Sequence, residues 1–378
     1  MHDFVLKEVK NTDISKELVK IGFDKSYIHK GCEKFEYKNI KIYSLTPAQA
    51  NILKQTAIST GCDCATHREV ITGKIELSDC MLGGSISQLK KIAEKLKFQP
   101  FGLKFLGEKI FEFVVNTKNN RTKIAGILNI TDNSFSDGGL YNSFEKAKEH
   151  LINMISEGAN LIDIGAESTK PYSKPVSPED QIEKLLPIIK FAKDKTIISV
   201  DTRSSKVAQE CIVAGAEIIN DVSGLECDDK MVDVIAKYGV KVIIQHSKGT
   251  PENMQDNPMY ENLVDEIYLD LKKKIDFAIS KGIKKENIII DVGIGFGKTR
   301  EDNFELIRRI EEFYGLGCPV MLGISRKSFL DMHDESNITK DIFTVALNTI
   351  AIEKNVDYLR VHNVKMHKQL LNTVENML

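Results

Sequence analysis

Eight apolar runs in the C-terminal two thirds of the chain each end in a polar residue, and this repeat limits the fold more than any other feature. The first, Ile124–Ile130, leads into Thr131-Asp-Asn-Ser-Phe-Ser-Asp-Gly-Gly139, a segment too rich in Gly and Asp to be core. The others read Leu161-Ile-Asp-Ile-Gly-Ala-Glu167, Ile197-Ile-Ser-Val-Asp-Thr-Arg203, Ile218-Ile-Asn-Asp-Val-Ser223, Val242-Ile-Ile-Gln-His246, Ile288-Ile-Ile-Asp-Val-Gly293, Val320-Met-Leu-Gly-Ile-Ser-Arg-Lys327 and Leu359-Arg-Val-His-Asn363. Unbroken Val, Ile and Leu suit strands of a parallel sheet covered on both faces. The polar ends at Asn129, Asp163, Asp201, Asn220, His246, Asp291, Ser325 and His362 lie 19 to 45 residues apart, bracketing the roughly 30 of a strand–helix–strand unit.

Helical patterns fill the gaps, at Ser143–Gly158, Pro178–Lys193, Ser204–Ala214, Met259–Gly282 and Asp302–Phe313. Ser177-Pro-Glu-Asp180 is an N-cap followed by Pro and acids in the first turn. Gly158, Gly215 and Gly282 are placed to end helices before the next strand. Eight such units over residues 123–378 predict one α/β domain, a (β/α)8 TIM barrel, whose active-site face is built from the carboxyl ends of its strands.

Residues 1–122 predict a small α/β domain of their own. They offer a strand at Ile40–Leu45, a helix at Pro47–Ser59 after Thr46, a strand at Ile75–Leu82, a βα turn at Gly83-Gly-Ser85 and a helix at Ser85–Leu96. A polar tether at Asn116–Thr122 follows. Cys62, Cys64, His67 and Cys80 raise the question of zinc, but their spacing is unlike structural zinc sites. They are read as small packing residues at a helix start, and this domain shows no catalytic constellation.

The chain's 378 residues suffice for a barrel and one smaller domain. A net charge of −2 leaves no basic footprint for broad nucleic-acid binding. No apolar run approaches the ~20 residues of a membrane span, and the start lacks the organisation of a signal peptide. Seven scattered cysteines suit a reducing cytoplasm.

The chemistry is expected at the barrel mouth. Arg360 and His362 lie two apart on the last strand, so both point to one side. Barrel closure brings them beside Asn129 on the first strand. A basic pair with an amide suits an anion, and a diphosphate would bring Mg2+ on its own oxygens. Asp163, Asp201, Asn220 and Asp291 offer acceptors to a planar heterocycle rich in N–H, such as a 2-aminopyrimidinone edge. Three acids could instead hold a metal directly, and Asp201-Thr-Arg-Ser could be a capping turn. Gly293-Ile-Gly-Phe-Gly-Lys-Thr299 falls one residue short of a Walker A spacing and reads as a flexible loop. Ser325-Arg-Lys-Ser328 is expected to open a helix whose N–H groups could hold a carboxylate, with Lys327 reaching back over the pocket.

These segments, taken in order through nearly all of residues 123–378, resemble dihydropteroate synthase. The resemblance implies condensation of 6-hydroxymethyl-7,8-dihydropterin diphosphate with p-aminobenzoate, release of pyrophosphate in folate biosynthesis, sulfonamide sensitivity and a homodimer formed through barrel helices. Position in the motifs implies that Asp201, Asn220, Asp291 and Lys327 hold the pterin, with Asp163 supporting the pocket. Asn129, Arg360 and His362 would hold the diphosphate, Asn129 with Mg2+. Phe135, Lys170, Ser325 and Ser328 would meet p-aminobenzoate. Asp201, Asp291 and Lys327 are the expected catalytic groups, since positive charge spreads over the pterin as the C–O bond breaks.

The chain departs from the family pattern at Asp132-Asn133, where Pro-Asp is usual, and at Lys170, where Arg is usual. It departs again at Gln245 and Ser247, which replace Met on either side of His246, and at Asn363, which replaces Asp. A corrinoid-linked methyltransferase using methyltetrahydrofolate would keep the acid and amide set, but needs neither Ser325–Ser328 nor the Arg–His pair. A non-catalytic pterin-binding protein is the other alternative.

Overall fold

The computed structural model describes residues 5–9, 13–115, 121–130, 139–167, 176–249, 258–330 and 336–377. It forms two compact units, Met1–Lys118 and Asn119–Leu378.

The first unit holds an antiparallel sheet of β1 (Tyr37–Leu45), β2 (Asp63–Thr66) and β3 (Ser78–Ser85), in the order β1-β3-β2. Its helices are α1 (Ile14–Lys20), α2 (Ile28–Phe35), α3 (Pro47–Ile58), α4 (Ile86–Leu96) and α5 (Leu103–Val115). Thr46 and Ser85 start α3 and α4 through capping boxes with Gln49 and Gln88. Gly83 and Gly84 do not form the expected turn but continue β3. Their missing side chains matter for packing: a Cβ on Gly83 would sit 2.5 Å from the Tyr37 hydroxyl, and one on Gly84 2.6 Å from Cys62 Sγ. Cys64 lies in β2, not at a helix start, and faces β3 near Cys80. Among the described residues no three His, Cys, Asp or Glu side chains group as metal ligands.

The second unit is a closed barrel. Its strands are β4 (Lys123–Asn129), β5 (Leu161–Gly165), β6 (Ile197–Asp201), β7 (Ile218–Asp221), β8 (Lys241–Gln245), β9 (Ile288–Asp291), β10 (Val320–Leu322) and β11 (Tyr358–Val361), each parallel to its neighbours. Around them lie α6 (Gly139–Ser156), α7 (Pro178–Ala192), α8 (Ser205–Ala214), α9 (Met231–Tyr238), α10 (Leu263–Ser280), α11 (Arg300–Arg308), α12 (Asn337–Glu353) and α13 (Val364–Glu375). The eight strands are the eight polar-ended runs. The helix expected at Asp302–Phe313 divides into α11 and a 3-10 turn at Ile310–Leu316.

Two apolar layers explain why the runs lack alternation. One face of each strand packs under the helices; the other fills the barrel with Ala125, Leu161, Ile218, Ile243, Ile289, Met321 and Tyr358. Burying each of the larger of these side chains contributes about 1.5–3 kcal/mol. Two residues further along, strand periodicity puts Ile127, Asp163, Asn220, Gln245, Asp291, Gly323 and Arg360 on the same inner face. The barrel therefore turns from an apolar layer to one dominated by polar side chains, and that step sets the floor of the site. No helix among the described residues is long and apolar enough to cross a membrane.

Candidate active site

Asp163, Asp201, Asn220 and Asp291 are all buried at this polar step. Arg360 reaches across from β11, donating from Nε to Asp163 Oδ2 at 2.6 Å and from Nη2 to Asp201 Oδ2 at 2.9 Å. Asn220 Nδ2 donates to the same Asp163 oxygen at 3.0 Å. The other oxygen, Asp163 Oδ1, is buried without a partner. An orphan carboxylate oxygen is costly to bury, and here it is an acceptor still lacking a donor.

Electrostatics follow from that burial. Burial pushes the Asp201 carboxyl up to about 7, although the Arg360 guanidinium pulls the other way and Asp163 adds to the rise. Burial likewise raises Asp291, against the pull of Lys327 and of a hydrogen bond from Gly293 N at 2.7 Å. Burial opposes the charge on Arg360, but Asp163 and Asp201 more than offset it and hold the guanidinium protonated. Burial brings Lys327 down to about 8, with Asp291 pulling it up. The ring thus mixes acids with raised values and a lysine with a lowered one, the pattern that proton-sensitive sites share.

Lys327 donates to the Ile294 carbonyl, and its ammonium lies 4.6 Å from the centre of the Phe296 ring. Both partners belong to the Gly-rich segment after β9, which the sequence presents as flexible. The structure packs it instead: Val292, Gly293, Ile294, Phe296, Gly297 and Lys298 are buried. Gly293, Gly295 and Gly297 have φ of +69°, +80° and +64°, values that L side chains rarely adopt. A Cβ on Gly293 would come within 1.8 Å of the His246 carbonyl. The glycines serve a tight fit against β8, not mobility.

The residues expected to meet the anion are arranged differently. Asn129 is exposed at the end of β4. Ser325 Oγ lies 2.9 Å from His362 Nδ1 and accepts from His362 N–H at 3.2 Å. The expected helix opening at Ser325–Ser328 is not formed. Arg326 adopts φ +57°, and a 3-10 turn, Ser328–Leu330, follows. Arg326 clamps Asp341 of α12 through two hydrogen bonds of 2.8 Å, and Asn363 Nδ2 donates to the same carboxylate at 3.2 Å. The amide at 363 can donate where an Asp would repel Asp341. Phe135 and Lys170 lie outside the described residues, as do Asp132 and Asn133.

Residues 125–362 match the model of the pterin binding enzyme family. A dihydropteroate synthase of Clostridium beijerinckii is 44% identical over 248 residues, covering 65% of this chain and 90% of the relative. The chain belongs to the dihydropteroate synthases. A solved dihydropteroate synthase from Clostridium difficile, in the presence of pteroic acid, superposes with a TM-score of 0.64 at 36% identity, covering 69% of this chain and 99% of that one. A Helicobacter pylori protein described as bifunctional dihydropteroate synthase/dihydropteroate reductase is 31% identical over 379 residues, 99% of both chains.

As a dihydropteroate synthase, the chain is a transferase that joins 6-hydroxymethyl-7,8-dihydropterin diphosphate to p-aminobenzoate. The polar ring stands at the carboxyl ends of the strands, where such a barrel keeps its chemistry. Four residues of this synthase were not assigned a role from sequence. Lys298 and His246 form a buried pair, with Lys298 Nζ 2.9 Å from His246 Nδ1. Glu167 Oε1 accepts from Arg203 Nη2 at 3.0 Å. His246 carried a signal as the polar end of its run; Lys298, Glu167 and Arg203 read as loop residues.

Proposed function

We propose that Asp163, Asp201, Asn220 and Asp291 hold the pterin edge, with Arg360 and Lys327 completing the pocket. The unpartnered Asp163 Oδ1, on the carboxylate that Asn220 and Arg360 hold by its other oxygen, carries this reading, because a ring N–H or exocyclic amine of the pterin would satisfy it. As the bond from the pterin CH2 to the diphosphate oxygen breaks, positive charge spreads into the ring. Asp201 and Asp291 oppose that charge from fixed positions, an arrangement in which one contact is worth roughly 3–4 kcal/mol. Arg360 and His362 take the leaving diphosphate. The amine of p-aminobenzoate forms the C–N bond and sheds its proton, so no protein nucleophile is needed. Phe135, Lys170, Ser325 and Ser328 are proposed to receive p-aminobenzoate.

Mg2+ fits the anion side of this reading. Asn129 offers one amide oxygen, and Gly165 leaves the adjoining space clear, since a Cβ there would sit 3.5 Å from Asn129 Oδ1. A small protein ligand set suits an ion bound mainly by substrate oxygens and water. Bound there, Mg2+ would neutralise charge on the leaving diphosphate.

A homodimer through barrel helices is supported by Ile338 and Ile342, exposed one turn apart on α12, and by Phe304 on α11. Ile342→Glu should then shift the chain to monomer in light scattering. The free cysteines fit a cytoplasmic setting. Pyrophosphate release from the two substrates tests the synthase reading, and Asp163→Ala should abolish it.

The end-to-end match to the bifunctional relative supports a second activity, reduction of dihydropteroate. That step adds two electrons and two protons and needs an external donor such as a reduced nicotinamide or flavin. Full-length protein should consume the donor with dihydropteroate present. A fragment of residues 119–378 should keep the synthase reaction and lose the reduction if the first unit is responsible.

A further inference from the structure

The segment after β9 is tied down at several points. Asp291 Oδ1 accepts from Gly293 N, Asn303 Oδ1 from Gly295 N at 2.7 Å, and the Gly297 carbonyl accepts from the Tyr260 hydroxyl at 2.8 Å. Lys298 closes it. The residue is only 2% exposed, and its Nζ donates to the Phe296 carbonyl at 3.0 Å and lies 2.9 Å from His246 Nδ1. Lysines are almost never this buried unless paired, and both of these hydrogen-bond partners are neutral. Burial holds His246 down to about 2, with Lys298 pushing the same way, so the imidazole is neutral.

Phe296 is the link to the site. Its carbonyl is held by Lys298, while the face of its ring lies under the Lys327 ammonium. The ring itself packs against Val222 beyond β7. A cation held over an aromatic face in a desolvated site is stabilised by the ring quadrupole, and only if the ring stays in place. Gly295 adds to the fit, since a Cβ there would lie 3.2 Å from Lys327 Cδ.

We infer that Lys298 is a positioning residue for the synthase reaction: with His246 it pins the Phe296 backbone, and through the Phe296 ring it sets where Lys327 can stand. This inference rests on the pterin role proposed for Lys327. Lys298 does not touch substrate in this account. Burial also lowers Lys298 to about 7, with Asp291 pulling it up and Lys327 pushing it down, so the two lysines sense each other.

A double-mutant cycle in the full-length chain tests it. Lys298→Met should lower kcat/KM by about tenfold or more in the natural background, but by less than about twofold in a Lys327→Met background, because coupled residues are not additive. Similar losses in both backgrounds would mean that Lys298 only supports the fold, and would overturn the inference. So would an unchanged Lys298→Met. An inert Lys327→Met is a separate result: it removes the pterin role of Lys327 and this inference with it. If Lys298→Met does not fold, Lys298→Leu, which likewise cannot donate, decides by the same two comparisons.

Discussion

Arg360 Nε lies 2.6 Å from Asp163 Oδ2, a bond that joins β11 to β5 past the intervening β4. The guanidinium therefore stands among the buried acids proposed to hold the pterin. From there it can hold the floor of the pocket with one edge and meet a departing diphosphate with another.

Arg360→Lys should be severely impaired despite keeping the charge. A single ammonium cannot span Asp163 and Asp201 as the planar fork does. Leaving one buried carboxylate without its partner costs about 3–5 kcal/mol, so Tm should fall together with kcat/KM. Calorimetry alongside steady-state kinetics checks this, and a variant with normal Tm and activity would contradict the bridging role.

The pH dependence of kcat/KM should be bell-shaped and narrow. Asp201, raised to about 7, becomes neutral as pH falls through that value and can no longer oppose pterin charge. Lys327, lowered to about 8, loses its charge as pH rises through that value. The optimum for the free enzyme thus lies between them. Stability has its own sign. Between 3.8 and about 7 the folded state holds a proton on Asp201 that the unfolded chain has released, so this group's contribution falls as pH rises across that window. Asp201→Asn should remove the acid limb of the rate profile and leave the alkaline one.

Much of this was legible beforehand. Unbroken Ile and Val runs ending in polar residues announce a covered parallel barrel, and the i, i+2 spacing of Arg360 and His362 puts both on one side of the last strand. What stayed hidden depends on contacts remote in sequence. The Gly293–Gly297 segment reads as loose because glycine marks both flexibility and close approach; only the His246 carbonyl beside Gly293 decides between them. Gly83 and Gly84 misled for the same reason. Ser325–Ser328 looked like a helix opening, but Arg326 turns to Asp341 on α12 and breaks it. Lys298 gave no signal, since a lysine in a polar loop is ordinarily solvated.

Gly293→Ala should destabilise the barrel by about 2 kcal/mol or more, from left-handed backbone strain and overpacking together. The added Cβ would meet the His246 carbonyl, a backbone atom that cannot swing aside. Denaturant unfolding of the variant measures the loss; Gly239→Ala is the control, with φ +67° but nothing within 4 Å of the new Cβ. Equal losses at both positions would mean that strain alone matters at Gly293.

The central claim is that the buried acids stabilise positive charge on the pterin as the diphosphate leaves. Asp201→Asn keeps the size of the side chain and removes the charge, so single-turnover kinetics with saturating pterin diphosphate and p-aminobenzoate isolates that step. The predicted result is a chemical rate lower by about 10²–10³, with the Kd for pterin diphosphate changed far less. An unchanged rate with weakened binding would make Asp201 a binding residue only, and would contradict the account.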